Sequence, residues 1–187
     1  VLEEVKAPTM FRISDRNAPH NLYADTELVR EYIDERGYLF NQDIDPLYNF
    51  GNNQTAWSQG ANKVTLKYSE FTTVIWKIDD DQYSRFIVDG YSDEDEAVAH
   101  NFVTRDGYTD ILKTQTVVVI QGPLYNDEAT TLPSVLTVGV GPVTIFNNGN
   151  YIQGTWRRND IADSFVFIDE NQNKIEVPPS KQWIHFL

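Results

Sequence analysis

Cysteine is absent from this 187-residue chain, and that one absence removes disulfide frameworks, thiolate metal sites and cysteine nucleophiles together. Histidine is scarce: His20, His100 and His185 stand far apart, with no H-E-x-x-H spacing, so a zinc site is not expected. Basic residues are few as well, 15 Lys and Arg against 28 Asp and Glu, for a net charge of −13. A surface of that sign repels phosphate backbones and anionic headgroups, which argues against nucleic acid as a partner and against direct adsorption to a membrane. No apolar run approaches the length needed to span a bilayer, and a run such as Val117 to Ile120 has the length of a strand. There is no G-x-S-x-G elbow, P-loop or dinucleotide fingerprint, and no cofactor is expected.

Aromatic residues, by contrast, are abundant at 13% of the chain, within an apolar share of 41%. That balance favours a β-rich globular protein over a disordered one. The stretch from Val143 to Leu187 carries the pattern most openly. VTIF and YIQGTW flank Asn147, Asn148 and Gly149, residues that tolerate positive φ, so a tight hairpin is predicted. SFVFI and KIEV flank a second turn at Asp169 to Asn173, and Pro178 and Pro179 then stop the strand before a last one from Gln182.

Upstream, KVTLKY, FTTVIWKI and YSRFIVDG read as further strands with a turn at Asp79 to Asp81. Thr114 to Gln121 is apolar on both faces and is predicted to be a buried central strand. Leu124 to Pro133 reads as a polar loop, and Asn41 to Lys63 as a long loop lying on the core. Thr26 to Arg36 is the one predicted helix. Asp25 can cap it, Leu28, Val29, Tyr32 and Ile33 form one stripe, and Gly37 follows as a stop. The fold class expected is α+β but mainly β, an antiparallel hairpin-rich sheet with one N-terminal helix.

The densest group of candidate binding residues is Arg12, Asp15, Arg16, His20 and Asn21. Ala18-Pro19 biases the segment toward an extended form, in which Arg12 and Arg16 share a face. Paired guanidinium groups beside an imidazole suit a carboxylate or phosphate ligand. The plainer reading, that these groups tie their own loop down, outweighs it. Asp169, Asn171 and Asn173 resemble the start of a calcium loop, but Lys174 and Ser180 stand where glycine and glutamate are required, so a hairpin turn is expected. The runs Asp79 to Asp81 and Asp93 to Glu96 read as solvated faces. Trp156 and Trp183 are expected in the core.

Taken together, FRISDRNAPHNLY (Phe11 to Tyr23), YSRF (Tyr83 to Phe86), VVVIQ (Val117 to Gln121) and IFNNGNYIQGTWRR…FVFIDENQNKIEVPPSKQWI give the chain its family likeness. In their order and spacing it resembles the YerB-like bacterial lipoproteins, a family catalogued as domain of unknown function 3048. Pro142 departs from the family pattern, which has a lysine there, and Lys181-Gln182 stands near its usual Gly-Gln-Thr. The resemblance implies an envelope protein, secreted and anchored by a lipid on an N-terminal cysteine, with an N-terminal domain ahead of this segment. On that basis residues 1–37 would be the tail of a mostly absent first domain and residues 38–187 its β-rich C-terminal domain. The start at Val1, without methionine or signal sequence, fits a processed or truncated product.

The function expected is non-enzymatic binding or scaffolding in the extracytoplasmic envelope. Its partners would be the missing N-terminal domain or another envelope protein, and membrane contact would come only through a lipid anchor outside this chain. Two alternatives stand beside it. One is a hydrolase or transferase acting on cell-wall material, with His20 as general base and Arg12 or Arg16 holding an anionic group. The other is a carbohydrate-binding module, which needs solvent-facing aromatics in a row on one sheet.

Overall fold

The computed structural model describes residues 9–14, 21–38, 45–52, 57–90, 92–104, 107–128 and 132–187. The chain divides into two compact units, residues 1–44 and 45–187. In the first, β1 (Met10–Arg12) pairs antiparallel with β2 (Leu22–Ala24), bringing Phe11 opposite Tyr23 with their rings stacked at 6.0 Å. Helix α1 (Thr26–Glu35) follows at once. The Asp25 carboxylate accepts from the backbone N–H groups of Glu27 at 3.0 Å and Leu28 at 3.3 Å, satisfying donors that the first turn leaves free. Gly37, at φ +65°, ends the helix in a conformation that costs a residue without Cβ little. The predicted stripe of Leu28, Val29, Tyr32 and Ile33 is half-buried while its flanks are exposed.

The second unit holds, among the described residues, a five-stranded and a seven-stranded sheet. The smaller is a meander of β4 (Lys63–Lys67), β5 (Thr72–Asp79) and β6 (Gln82–Asp89), with β7 (Val98–Ala99) and β10 (Lys113–Thr114) added along β6. The β5–β6 turn is the predicted acidic one, with Asp80 at φ +55°. The larger sheet runs β17 (Lys174–Ile175), β16 (Val166–Ile168), β15 (Asn150–Arg158), β14 (Gly139–Asn147), β11 (Thr116–Ile120) and β18 (Gln182–Phe186), and β3 (Ser58–Gln59) pairs with the start of β15. Asn148 at φ +53° and Gly149 at φ +73° make the two-residue turn between β14 and β15. Positive φ at both positions matches the right-handed twist of the flanking strands.

The central strand is buried along its whole length, as its apolar run predicts. It pairs antiparallel with β14 on one side and parallel with β18 on the other. Alternation then sorts the side chains into two cores. Val118, Ile120, Val143, Ile145, Ile152, Trp156, Phe165 and Phe167 share one with Tyr48, whose segment bridges to the sheet at Phe165. Val117 and Val119 point the other way and meet Val64, Leu66, Val74, Trp76 and Tyr83 of the five-stranded sheet.

Two further hairpins stand outside both sheets: β8 (Asn101–Val103) with β9 (Thr109–Ile111), and β12 (Leu124–Asn126) with β13 (Pro133–Val135). The second corrects the expectation of a loop from Leu124 to Pro133. Its strands are three residues each, too short for an alternating pattern to register in a polar window.

Candidate functional site

Two of the five residues singled out near the N-terminus are brought together. Arg12 Nη1 donates to Asn21 Oδ1 at 2.7 Å, and Asn21 Nδ2 donates to the Ile13 carbonyl at 3.0 Å. One amide thus ties the guanidinium of β1 to the backbone beside it and pins the end of the β1–β2 ladder from which the connecting segment leaves. Asp15, Arg16 and His20 lie outside the described residues.

The two histidines of the second unit are built into its packing. His185 on β18 is 1% exposed; its Nε2 accepts from the Trp76 indole at 2.8 Å, and its Nδ1 meets the Tyr68 hydroxyl. Since an indole only donates, Nε2 must be unprotonated, so the neutral ring carries its proton on Nδ1 and gives it to the Tyr68 oxygen. Burial, with the nearby Arg85 cation adding to it, pushes the His185 pKa down to about 4. Arg85 on β6 lies over the Trp183 ring at 4.9 Å and over Trp76 at 5.9 Å, and it contacts His100 Nδ1. No carboxylate of a described residue pairs with it, so stacking on the two indoles, with the His100 contact, offsets the burial of its charge.

A more accessible arrangement forms where the five-stranded sheet stops short of covering the larger one. Residues paired directly across an antiparallel ladder share a face. Val119 pairs with Thr144 and Thr144 with Gln153. In the next row Val117 pairs with Phe146, Phe146 with Tyr151 and Tyr151 with Ser58. The Val117 and Val119 end of each row lies beneath the smaller sheet. The rest, Thr144, Gln153, Phe146, Tyr151 and Ser58, forms the floor of a groove that crosses β14 and β15.

The groove has two hollows. One, of about 320 Å³, lies between Thr144 and Phe146 on the floor and Thr65, Leu66 and Lys67 of β4, with Gln121 and Leu187 closing it. The other, of about 250 Å³, lies between Tyr151 and Gln153 on the floor, Ser58 on β3, and the turn residues Asp169, Glu170 and Asn171. Phe146 and Tyr151 join them, with ring centroids 6.2 Å apart.

The turn at the far wall is held from within. The Asp169 carboxylate accepts from the backbone N–H groups of Asn171 at 2.9 Å and Asn173 at 2.8 Å, and from the Asn173 side chain at 3.0 Å. The Asn173 amide above all, with the two backbone donors, holds its pKa below the usual carboxylate value. Around that fixed turn the remaining polar groups are unspent. Among the described residues, the side chains of Ser58, Tyr151, Gln153, Glu170 and Asn171 make no hydrogen bond to one another or to the rest of the chain. The same holds for Thr65, Lys67, Gln121 and Thr144 in the neighbouring hollow.

Sequence reasoning passed over these residues. The signal was present in VTIFNNGNYIQGTW, where Thr144, Phe146, Tyr151 and Gln153 alternate with the inward Val143, Ile145 and Ile152. Alternation separates two faces, and it does not say which face a second sheet leaves uncovered.

A family model described as the protein of unknown function (DUF3048) C-terminal domain matches residues 63–184. That span takes in the groove apart from Ser58 and Leu187. The crystal structure of YerB protein from Bacillus subtilis is similar over 96% of this chain, with a TM-score of 0.67 at 16% sequence identity. The chain spans 56% of the length of that structure. Comparison with curated proteins gives no match.

Proposed function

We propose that this chain, which belongs to the DUF3048 family of proteins of unknown function through its C-terminal domain, is a non-catalytic binding module whose ligand lies in the groove across β14 and β15. The observation that carries this reading is the set of unengaged hydrogen-bonding side chains around an aromatic floor. Polar groups left without internal partners beside a concave surface are available to a ligand at no cost to the fold. The described histidines support binding over turnover, because His185 is buried with both ring nitrogens engaged and His100 is met by Arg85. On the resemblance to envelope lipoproteins, the setting is extracytoplasmic, with a lipid anchor outside these residues, and the partner is an envelope component.

Two measurements test this. Purified chain should co-sediment with isolated cell-envelope material, and Gln153→Arg, which fills the groove from an exposed position, should abolish that while leaving the melting temperature unchanged. In intact cells the full-length protein should be open to added protease. Co-sedimentation indifferent to Gln153→Arg would remove the groove from the account.

A further inference from the structure

Resting on the groove as a binding site, we infer that its ligand is a linear, uncharged glycan laid across strands β14 and β15, with one pyranose ring in each hollow. The side chains left unengaged include three primary amides (Gln121, Gln153 and Asn171), hydroxyls on Ser58, Thr65, Thr144 and Tyr151, and one carboxylate on Glu170. Amides and carboxylates present two polar atoms side by side and so meet neighbouring hydroxyls of a sugar ring with paired hydrogen bonds. Phe146 lines one hollow and Tyr151 the other, both half-buried, so each would meet the apolar face of the pyranose in its own hollow.

Geometry favours a ligand that crosses the strands. Neighbouring strands lie about 4.8 Å apart, close to the advance of one ring along a 1,4-linked glycan. Successive rings would therefore meet successive strands. The charge pattern favours a neutral chain: Asp169 and Glu170 stand together at one end, but the Asp169 carboxylate is spent on three internal hydrogen bonds, and Lys67 stands at the other, so neither end presents two unengaged like charges to an ion of opposite sign.

The main competitor is an extended peptide, and two features work against it. Along the floor both edges of β14 are paired, and β15 is paired with β14 on one side and, on the other, with β3 at Asn150 and Tyr151 and with β16 from Thr155 to Arg157; the three residues 152–154 left between them are too short a stretch to seat a new strand. Among the described residues no strand pairs with the outer edge of β4, but Lys63 and Lys67 stand at its two ends, a placement that discourages strand addition.

Titration of the full chain with cellotetraose and with the tetrasaccharide of N-acetylglucosamine, followed by amide chemical shifts and calorimetry, tests the inference. At least one should bind with micromolar to millimolar affinity and shift the amides of Ser58, Thr144, Tyr151, Gln153 and Asn171. Tyr151→Ala should weaken binding about tenfold or more, as loss of a stacking ring does. Gln153→Ala, at an exposed position, should weaken it severalfold with folding unaffected. Neither sugar binding, or binding that shifts amides elsewhere, would overturn the glycan assignment. If a valine- and threonine-rich peptide binds with dependence on Tyr151 and Gln153 while the sugars do not, the ligand class is wrong and the groove stands. If co-sedimentation with envelope material also ignores both substitutions, the groove falls with it.

Discussion

The indole N–H of Trp76, on the five-stranded sheet, is bonded at 2.8 Å to Nε2 of His185, on the seven-stranded sheet. Both residues are buried, so this hydrogen bond joins the two layers in a region that water does not reach. Trp76→Phe keeps most of the ring volume and removes the donor. It should destabilise the chain by about 1–3 kcal/mol, the usual cost of leaving a buried acceptor without a partner. Urea unfolding followed by circular dichroism measures this, and ligand binding in the groove should be unchanged.

The same imidazole makes stability depend on pH. Its pKa is about 4 in the folded chain against an ordinary value of 6.5. Between those two values the unfolded chain takes up a proton that the native ring refuses, so acid favours unfolding. The contribution is complete above pH 6.5, falls as pH drops, and is gone below about pH 4. Over that whole interval it amounts to roughly 3 kcal/mol. His185→Gln can still accept from Trp76 and donate to Tyr68, but it cannot take the proton. Unfolding free energies at pH 7 and pH 5 should therefore differ less in the variant than in the parent; equal differences would remove His185 as the source.

Arg85 works on His185 through its charge, which opposes a second cation nearby. Arg85→Met retains an unbranched side chain to lie against Trp183 and removes that charge. Nuclear magnetic resonance titration of the His185 ring should then show a higher pKa than in the parent chain. An unmoved value would mean that burial alone sets it.

Gly154 sits in β15 where a methyl group would fall within contact distance of the Ile168 carbonyl and the Ile175 side chain. Gly154→Ala should therefore push β16 and β17 outward and cost about 1–3 kcal/mol, as overpacking of a close-fitted interior does. The turn carrying Glu170 and Asn171 moves with those strands, so the variant should lose groove binding even at temperatures where it remains folded. Amide shifts concentrated in residues 166–175 would locate the change.

Much of this architecture can be read from residue order alone. Asn148-Gly149 between two alternating runs specifies a hairpin, the apolar run at Val117 to Ile120 specifies a central strand, and Asp25 specifies where the helix begins. These signals are local, since each is a property of about ten consecutive residues. The partner of the central strand on its parallel side is not local: Thr116 meets Gln182, and Ile120 meets Phe186, with no turn between them to announce it. The two tryptophans expected in the core show the same divide. Trp156 is fully buried, whereas Trp183 is half-buried beneath the Arg85 guanidinium, a neighbour that only the packing of β6 on β18 supplies. The groove was hidden for the same reason. Its floor is written in consecutive residues, but its walls come from β4, β3 and the β16–β17 turn.

Because β18 fills the place beside β11 in parallel, the larger sheet lacks its last strand, and β11 is its edge, until synthesis has passed residue 186. Until then a ribosome-bound chain presents the ladder edge of β11 to the surroundings. Assembly of this unit must be a late event, and a helper that shields Val117 to Ile120 during synthesis would act on a stretch whose exposure invites aggregation.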